Sequence, residues 1–439
     1  MNFYIKTLNI KKKNFYKNLY LNINNYKNNN KKEKKKVNKI IKEIKINGDK
    51  SLLYYTNKFD YLNYNSINKI KIKKKKLKKY INLIPKKIKK IILYFYKRIK
   101  KYYKLQKKKY LYKNYFISNK RGDILGQKVN CIKKIGVYIP GGTAKYFSSI
   151  LMNVIPAKIA GVKNITITTP IPYGIKNNII LATAGICGVN NVFTIGGAQA
   201  IASLTYGTKI IKKVDKIVGP GNFYVNYAKK KVFGEVGIDM IAGPSEILIL
   251  CDKYIKTDYI VMDLFSQAEH DKLSKCFLIS LNKKYIKNII KKIKKKIKFM
   301  LRKKIIINSL IKNSLIIKVN NLKEACKIIN IISPEHLEIC LKNSNKLLNN
   351  IYNSGAIFLG KFSPEVLGDY CAGPSHVLPT SGNSKFSSCL GIYDFLKFSS
   401  IIDFSKKGFK KLFKYTYKSA FKEGLQCHAL SLKYRNYNV

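Results

Sequence analysis

The chain has 439 residues, 46% of them hydrophobic, and carries 87 Lys+Arg against 22 Asp+Glu for a formal net charge of +65. That length suits one large or two to three ordinary domains, and the apolar content excludes wholesale disorder. No apolar run approaches the roughly 18–20 residues of a membrane span, and the N-terminus lacks an apolar signal core, so cytoplasm is the expected compartment.

A charge of this size points first to nucleic acid, because basic side chains neutralise phosphates and release counterions. The kind of charge argues against it. Only four basic residues are Arg (Arg98, Arg121, Arg302 and Arg435), leaving 83 Lys, whereas base and phosphate readout lean on the planar fork of Arg. Lys, Asn, Ile, Tyr and Phe share A/T-rich codons, and Trp, whose codon is G-rich, is absent. Compositional drift accounts for that pattern without a partner. Position sharpens the point: residues 1–120 hold 38 basic and four acidic groups, whereas residues 331–400 hold five of each. The clean stretches are where chemistry is to be sought. Nine Cys are scattered without a CxxC pair and read as small buried hydrophobes.

In chain order, the first 120 residues read as helices broken by Asn-rich loops, with 71–109 amphipathic. From 135 the texture changes to short β-rich runs: IGVYI (135–139), NITITT (164–169), NVFTI (191–195) and DKIV (215–218). Helical patterns lie between them. A second set follows with EILILC (246–251), the helical DYIVMDLFSQAEHD, then CFLISL, SLIIKV and GAIFLG. Strand–helix alternation of this kind predicts βαβ units and parallel, doubly wound sheets. Three Gly-rich turns, YIPGGTAKY (138–146), TIGGAQA (194–200) and VGPGNFYVNYAKK (218–230), stand at predicted strand ends. Ligands bind beyond the carboxyl ends of such strands, where backbone N–H groups approach phosphates. None of the three is GxGxxG, and each alone reads as a tight turn before a nucleotide site; together, in successive βα turns, they predict a binding cleft.

The four histidines stand in SQAEHD, SPEHLE, GPSHVLP and EGLQCHAL. Gln267 and His270, three apart on a predicted helix, can share a metal ion, and Asp369 adds a hard oxygen ligand seven residues before His376.

These motifs, with VDKIVGPGN, GIDMIAGPSE, GDYCAGPSHVLPT and KFSSCLGIYDFLK, run in order across 135–430. In that order the chain resembles the histidinol dehydrogenases, zinc enzymes that oxidise L-histidinol to L-histidine through L-histidinaldehyde with two NAD+, the last step of histidine biosynthesis. The resemblance implies an α/β fold of two Rossmann-like doubly wound lobes, with a helical N-terminal segment and a short C-terminal segment that contacts the partner subunit of a homodimer. The implied division is an N-terminal helical segment 1–24, a larger zinc-bearing and catalytic lobe 25–137 and 247–390, an NAD lobe 138–246, and a dimerisation segment 391–439. It also implies one zinc ion per subunit held by Gln267, His270, Asp369 and His428. His428 and Glu423 would reach in from the partner subunit. Substrate contacts would be Ser245, His336 and Glu423 beside the metal ligands, and NAD contacts Tyr138, Gln199 and Asn222.

In that reading His336, with an ordinary pKa of about 6.5, accepts the alcohol proton as hydride leaves, and Glu335 takes a proton from the water that hydrates the aldehyde. Zinc chiefly orients the substrate's imidazole and amine, and the net-neutral 331–400 stretch suits a cationic substrate. His376 can be structural or part of the site. Phe147, Phe223 and Ser375 depart from the residues common in the family and flank the binding turns. Specific nucleic-acid binding and membrane association are not expected. Two other readings stay open at this point: a related zinc- and NAD-dependent dehydrogenase of another small alcohol, and a lysine-rich nucleic-acid binder with a decayed site.

Overall fold

Near-continuous apolar runs such as EILILC suit central strands of a parallel sheet, because both faces are covered and each side chain meets a core. A computed structural model of the chain describes residues 4–24, 30–109, 113–141 and 146–437. Its strands begin with β1 (Lys6–Asn9), β2 (Lys71–Ile72), β3 (Tyr115–Ser118), β4 (Ile124–Cys131) and β5 (Lys134–Tyr138). Next come β6 (Asn164–Thr168), β7 (Asn191–Phe193), β8 (Lys216–Val218), β9 (Gly237–Ile238) and β10 (Glu246–Cys251). The last five are β11 (Lys275–Ser280), β12 (Leu315–Lys318), β13 (His336–Cys340), β14 (Ala356–Leu359) and β15 (Leu396–Asp403).

They form three sheets. The first has the order β1-β12-β11-β10-β13-β14 and is parallel throughout. The second, β2-β7-β6-β5-β8-β9, is parallel except for the antiparallel edge strand β2. The third is a small antiparallel sheet, β15-β4-β3. Leaving aside the early edge strands β1 and β2, each large sheet is entered centrally (β10 or β5), winds one way and then returns to the other side, the doubly wound pattern.

Period-two alternation divides each sheet between two cores. Ile247, Ile249 and Cys251 of β10 pack with Ile260 and Leu264 of the helix Thr257–Ala268 and with Ile289 and Ile306. Leu248 and Leu250 face the opposite side, against Phe15, Leu19, Ile328 and Ile329. In the second sheet Ile135 and Val137 join the core of the helices Phe147–Ala160 and Asn178–Ile186. Tyr138 and Ile217 join that of Gly197–Tyr206 and Phe223–Val232.

The observed sheets differ from the expected division in several places. Segment 1–24 is not only helical: β1 extends the first sheet through β12. Residues 25–137 do not all go with the first sheet, as that division expects. The helix Lys31–Asn47 buries Val37, Ile40 and Ile44 in a core of the second sheet, and Leu77, Ile92 and Ile99 from 74–109 line its other core. Strands β2 and β5 are members of that sheet. An amphipathic stripe specifies that a helix covers something apolar, but not which sheet it covers. The 71–109 stretch is also two helices, Lys74–Leu83 and Lys86–Lys109; Pro85 forces Ile84 out of helical geometry (ψ 146°) between them. The antiparallel sheet went unanticipated because β3 and β4 lie in a polar context without long apolar runs.

Candidate functional site

The second sheet reverses its winding between β5 and β8, and Tyr138 and Asn222 lie at or just beyond the carboxyl ends of these two strands, where the crevice of such a sheet opens. Tyr138 is 3% exposed and its hydroxyl accepts a hydrogen bond from the N–H of Gly197 at 3.2 Å. Burial pushes its phenol up to about 12, so it stays neutral. Gln199, in the first turn of the next helix, is 1% exposed with Oε1 unpaired. Asn222 is exposed and caps the helix Phe223–Val232 by accepting the Val225 N–H at 3.2 Å. Tyr138 also underlies the third turn: a Cβ on Gly219 would stand 2.2 Å from its carbonyl oxygen. Residues 142–145 of the first Gly-rich turn lie outside the described residues.

In the first sheet the groups gather at the amino ends of the strands, not the carboxyl ends that the general rule favours. Glu246, the first residue of β10, is the hub. Its N–H donates to Glu335 Oε2 at 2.8 Å, and its carbonyl meets His336 Nδ1 at 3.0 Å. Its own carboxylate accepts from Lys275 Nζ at 2.9 Å and from the Ser381 N–H at 3.1 Å. Because a carbonyl only accepts, Nδ1 carries the proton in neutral His336 and Nε2 is the free base. Ser245 precedes the hub, its carbonyl held by the Lys275 N–H at 3.0 Å. Glu335 and His336 are both buried. Burial holds the imidazole below its ordinary pKa. Burial, together with the charges of Glu246, Asp369 and Glu365, holds the Glu335 carboxyl well above the usual carboxylate range.

His336 Nε2 looks toward a cluster, with Glu365 Oε1 3.9 Å away. Ligand atoms of His270, Glu365 and Asp369 lie within 4.8 Å of one another. Gln267 is 1% exposed beside them in sequence, with Nε2 unpaired, and Glu365 Oε1 is unpaired too. A carboxamide presents either its O or its N to the same place on a half-turn of the amide. Buried donors left without partners, with mixed N and O chemistry, fit a divalent cation of borderline softness. His270 is not on the helix with Gln267 as the spacing predicts. The helix ends at Ala268 and His270 sits in the following turn, still tied by its N–H to the Gln267 carbonyl at 3.3 Å.

Glu365 is the residue the sequence reading missed. Its signal was available, since Glu365 and Asp369 are four apart in PEVLGDY and share one face of the helix Glu365–Tyr370. His376 resolves as a brace: Nδ1 meets the Asp369 carbonyl at 2.8 Å and Nε2 meets Ser149 Oγ, on the helix Phe147–Ala160, at 3.2 Å. Phe147 stands near Tyr370, with ring centroids 6.5 Å apart, so the helix after the first Gly-rich turn abuts the Asp369 helix. Through His376 and Phe147 the start of the helix Phe147–Ala160 is thus held against the segment that carries Asp369. Phe223 stacks on Tyr227, and buried Ser375 accepts the Val377 N–H. Glu423 and His428 are not brought to the cluster within one chain. Glu423 lies exposed in the turn after the helix Lys406–Lys422, and His428 lies exposed on the helix Gln426–Tyr437.

A family model described as histidinol dehydrogenase matches residues 23–436. The chain is 47% identical over 396 residues to a histidinol dehydrogenase of Nitrosospira multiformis, covering 90% of this chain and 89% of that protein. It is 45% identical over 397 residues to that of Cupriavidus pinatubonensis, with 90% and 89% covered. The crystal structure of histidinol dehydrogenase from Elizabethkingia anophelis superposes with a TM-score of 0.89 at 31% identity, covering 99% of this chain and 98% of that one.

Proposed function

Because the chain belongs to the histidinol dehydrogenase family, we propose that its cleft oxidises L-histidinol through L-histidinaldehyde to L-histidine, passing two hydrides to two NAD+. Tyr138, Gln199 and Asn222 contact the dinucleotide. Gln267, His270 and Asp369, with the partner subunit's His428, hold one zinc ion per subunit. Zinc supplies Lewis-acid anchoring of the substrate's imidazole and amine. Ser245 and the partner subunit's Glu423 complete the substrate's contacts.

The observation that carries this reading is the Glu246 hub. One backbone unit holds both Glu335 and His336, and it turns the free Nε2 of His336 toward the cation-binding group. That nitrogen takes the alcohol proton as hydride departs. The lowered pKa keeps the ring in its basic form at neutral pH. Glu335, made more basic by burial, removes a proton from the water that hydrates the aldehyde; His336 then acts again on the hydrate. The carboxylate charge that raises Glu335 belongs partly to Asp369 and Glu365, and a bound cation offsets it.

The homodimer is supported by the C-terminal arm. The helix Lys406–Lys422 buries only Gly408, yet Phe409, Phe413, Tyr417 and Phe421 form a ring-to-ring row at four-residue spacing along it. An apolar face of this kind needs a cover.

With zinc present, L-histidinol should yield two NADH for each histidine formed, followed by absorbance and product analysis. His336→Asn should abolish turnover while zinc content stays near the parent's. Absence of NADH over a wide zinc range overturns the activity, and loss of metal in His336→Asn overturns the role given to that ring.

A further inference from the structure

Among 83 lysines, only Lys229 and Lys275 are buried within the described residues. The drift that decorates the surface does not explain a buried one. Lys229 lies on the helix Phe223–Val232 and pairs directly with Asp239, which follows β9; their side chains are 1% and 0% exposed. Burying both charges costs several kcal/mol, and an apolar pair of similar size generally leaves a fold as stable or more so. Stability alone therefore leaves this pair unexplained.

Its contacts converge on one residue. Gly219 follows β8 directly with φ +113°, a conformation that L side chains rarely adopt, and it packs against the Tyr138 carbonyl. Its N–H donates to Asp239 Oδ2 at 2.7 Å, and its carbonyl accepts from Lys229 Nζ at 3.0 Å. Asp239 Oδ1 also accepts the Met240 N–H at 2.6 Å, which fixes the carboxylate itself. Two residues farther on, the Gly221 carbonyl accepts from Asn226 Nδ2 at 2.6 Å, again from the same helix. The Gly219–Asn222 turn is thus held from beneath at both sides of its first residue.

We infer that Lys229 and Asp239 are positioning residues for the cofactor turn: the buried pair sets the backbone of Gly219, and through it the placement of Asn222 against the dinucleotide. The inference rests on the reading that Asn222 contacts NAD. Neither side chain reaches the cofactor, so the effect is on the shape of the turn and not on its charge. Opposite charges suit this task because each aims at one polar group of the same residue and each fixes the other.

Lys229→Met alone strands a buried carboxylate and risks misfolding, so the deciding variant is Lys229→Met/Asp239→Asn, which leaves no unpaired charge. In the zinc-loaded protein this variant should weaken NAD binding by about tenfold or more, measured by calorimetry, because an immobile turn becomes a mobile one. The KM for NAD should rise while the KM for histidinol and the zinc content stay at parent values. In NAD-free protein, amide exchange across 219–223 should quicken. A purely structural pair would shift the melting temperature and leave NAD affinity unchanged. If the double variant binds NAD as the parent does while Asn222→Ala weakens binding, the inference falls and the cofactor assignment stands. If Asn222→Ala leaves NAD binding untouched, the assignment falls and carries the inference with it.

Discussion

Asp60 is buried close to Tyr138 and accepts a long hydrogen bond from the Ile171 N–H at 3.4 Å. The neighbouring Pro170 fills the space that a side chain at Gly141 or Gly196 would need, so the Asp60–Ile171 contact backs two of the turns at once. Burial pushes the Asp60 carboxyl up to about 6. A raised carboxyl binds its proton more tightly folded than unfolded, so it favours the fold at low pH. That contribution is lost as pH rises from the ordinary carboxylate value, near 4, through 6. Asp60→Asn keeps an acceptor for Ile171 and has no charge to bury. It should therefore stabilise the protein by about 1–3 kcal/mol at pH 8, with the gain shrinking toward zero near pH 4. Paired denaturant titrations at the two pH values measure it; a gain that does not depend on pH would show that ionisation is not the cause. Asp60 also marks the limit of reading residues from sequence. Gln267, His270, Asp369, Glu335 and His336 stood in recognisable motifs, and the structure gathers them in one region. Glu246 acts at this site through its backbone, and Asp60 matters through what is absent around it. Neither property is written in a side chain's identity.

At the scale of elements, the legible parts were those whose pattern has one physical solution. The run EILILC is β10 to the residue, and CFLISL and SLIIKV are β11 and β12 within one residue at either end, because an apolar run of that length between turns belongs in a covered parallel sheet. HLEIC, now β13, was read for its chemistry and not as a strand, since its buried Glu338 breaks the run. The C-terminal arm was assigned by resemblance alone. Its aromatic row and the exposed Phe421 and Leu425 are a face without a core of its own chain. His428, on the following helix, lies away from the His270 cluster. If the arm crosses to a second copy, His428→Ala should lose zinc. Mixing it with His336→Asn should then regenerate some activity, because one site of each mixed dimer has both residues intact. Subunit exchange followed by an NADH assay measures this. No recovery, with mixed dimers confirmed by mass, would place the whole site within one chain.

For the whole molecule the question is what a net charge of +65 does to a fold of this design. Most of the lysines lie on outer faces: the amphipathic helix Lys283–Lys296 buries Tyr285, Ile286, Ile289 and Ile293 and turns its lysines outward. The N-terminal helices do the same around the second sheet. Acidic partners are scarce on that surface; Asp258 serves both Lys292 and Lys296. Surface lysines therefore repel one another more than they are compensated, and the folded state holds them closer together than the unfolded chain does. Screening should relieve this. Raising NaCl from about 20 mM to about 200 mM shortens the Debye length from roughly 20 Å to under 10 Å, so the melting temperature should climb by several degrees across that range. The buried pairs Lys229–Asp239 and Lys275–Glu246 are sheltered from salt and should not offset the gain. Sodium sulfate would mix screening with surface exclusion, so the chloride series is the clean comparison. A melting temperature that stays flat or falls in chloride would mean that the lysine load is already balanced in the folded state, and that self-repulsion does not limit the stability of this enzyme.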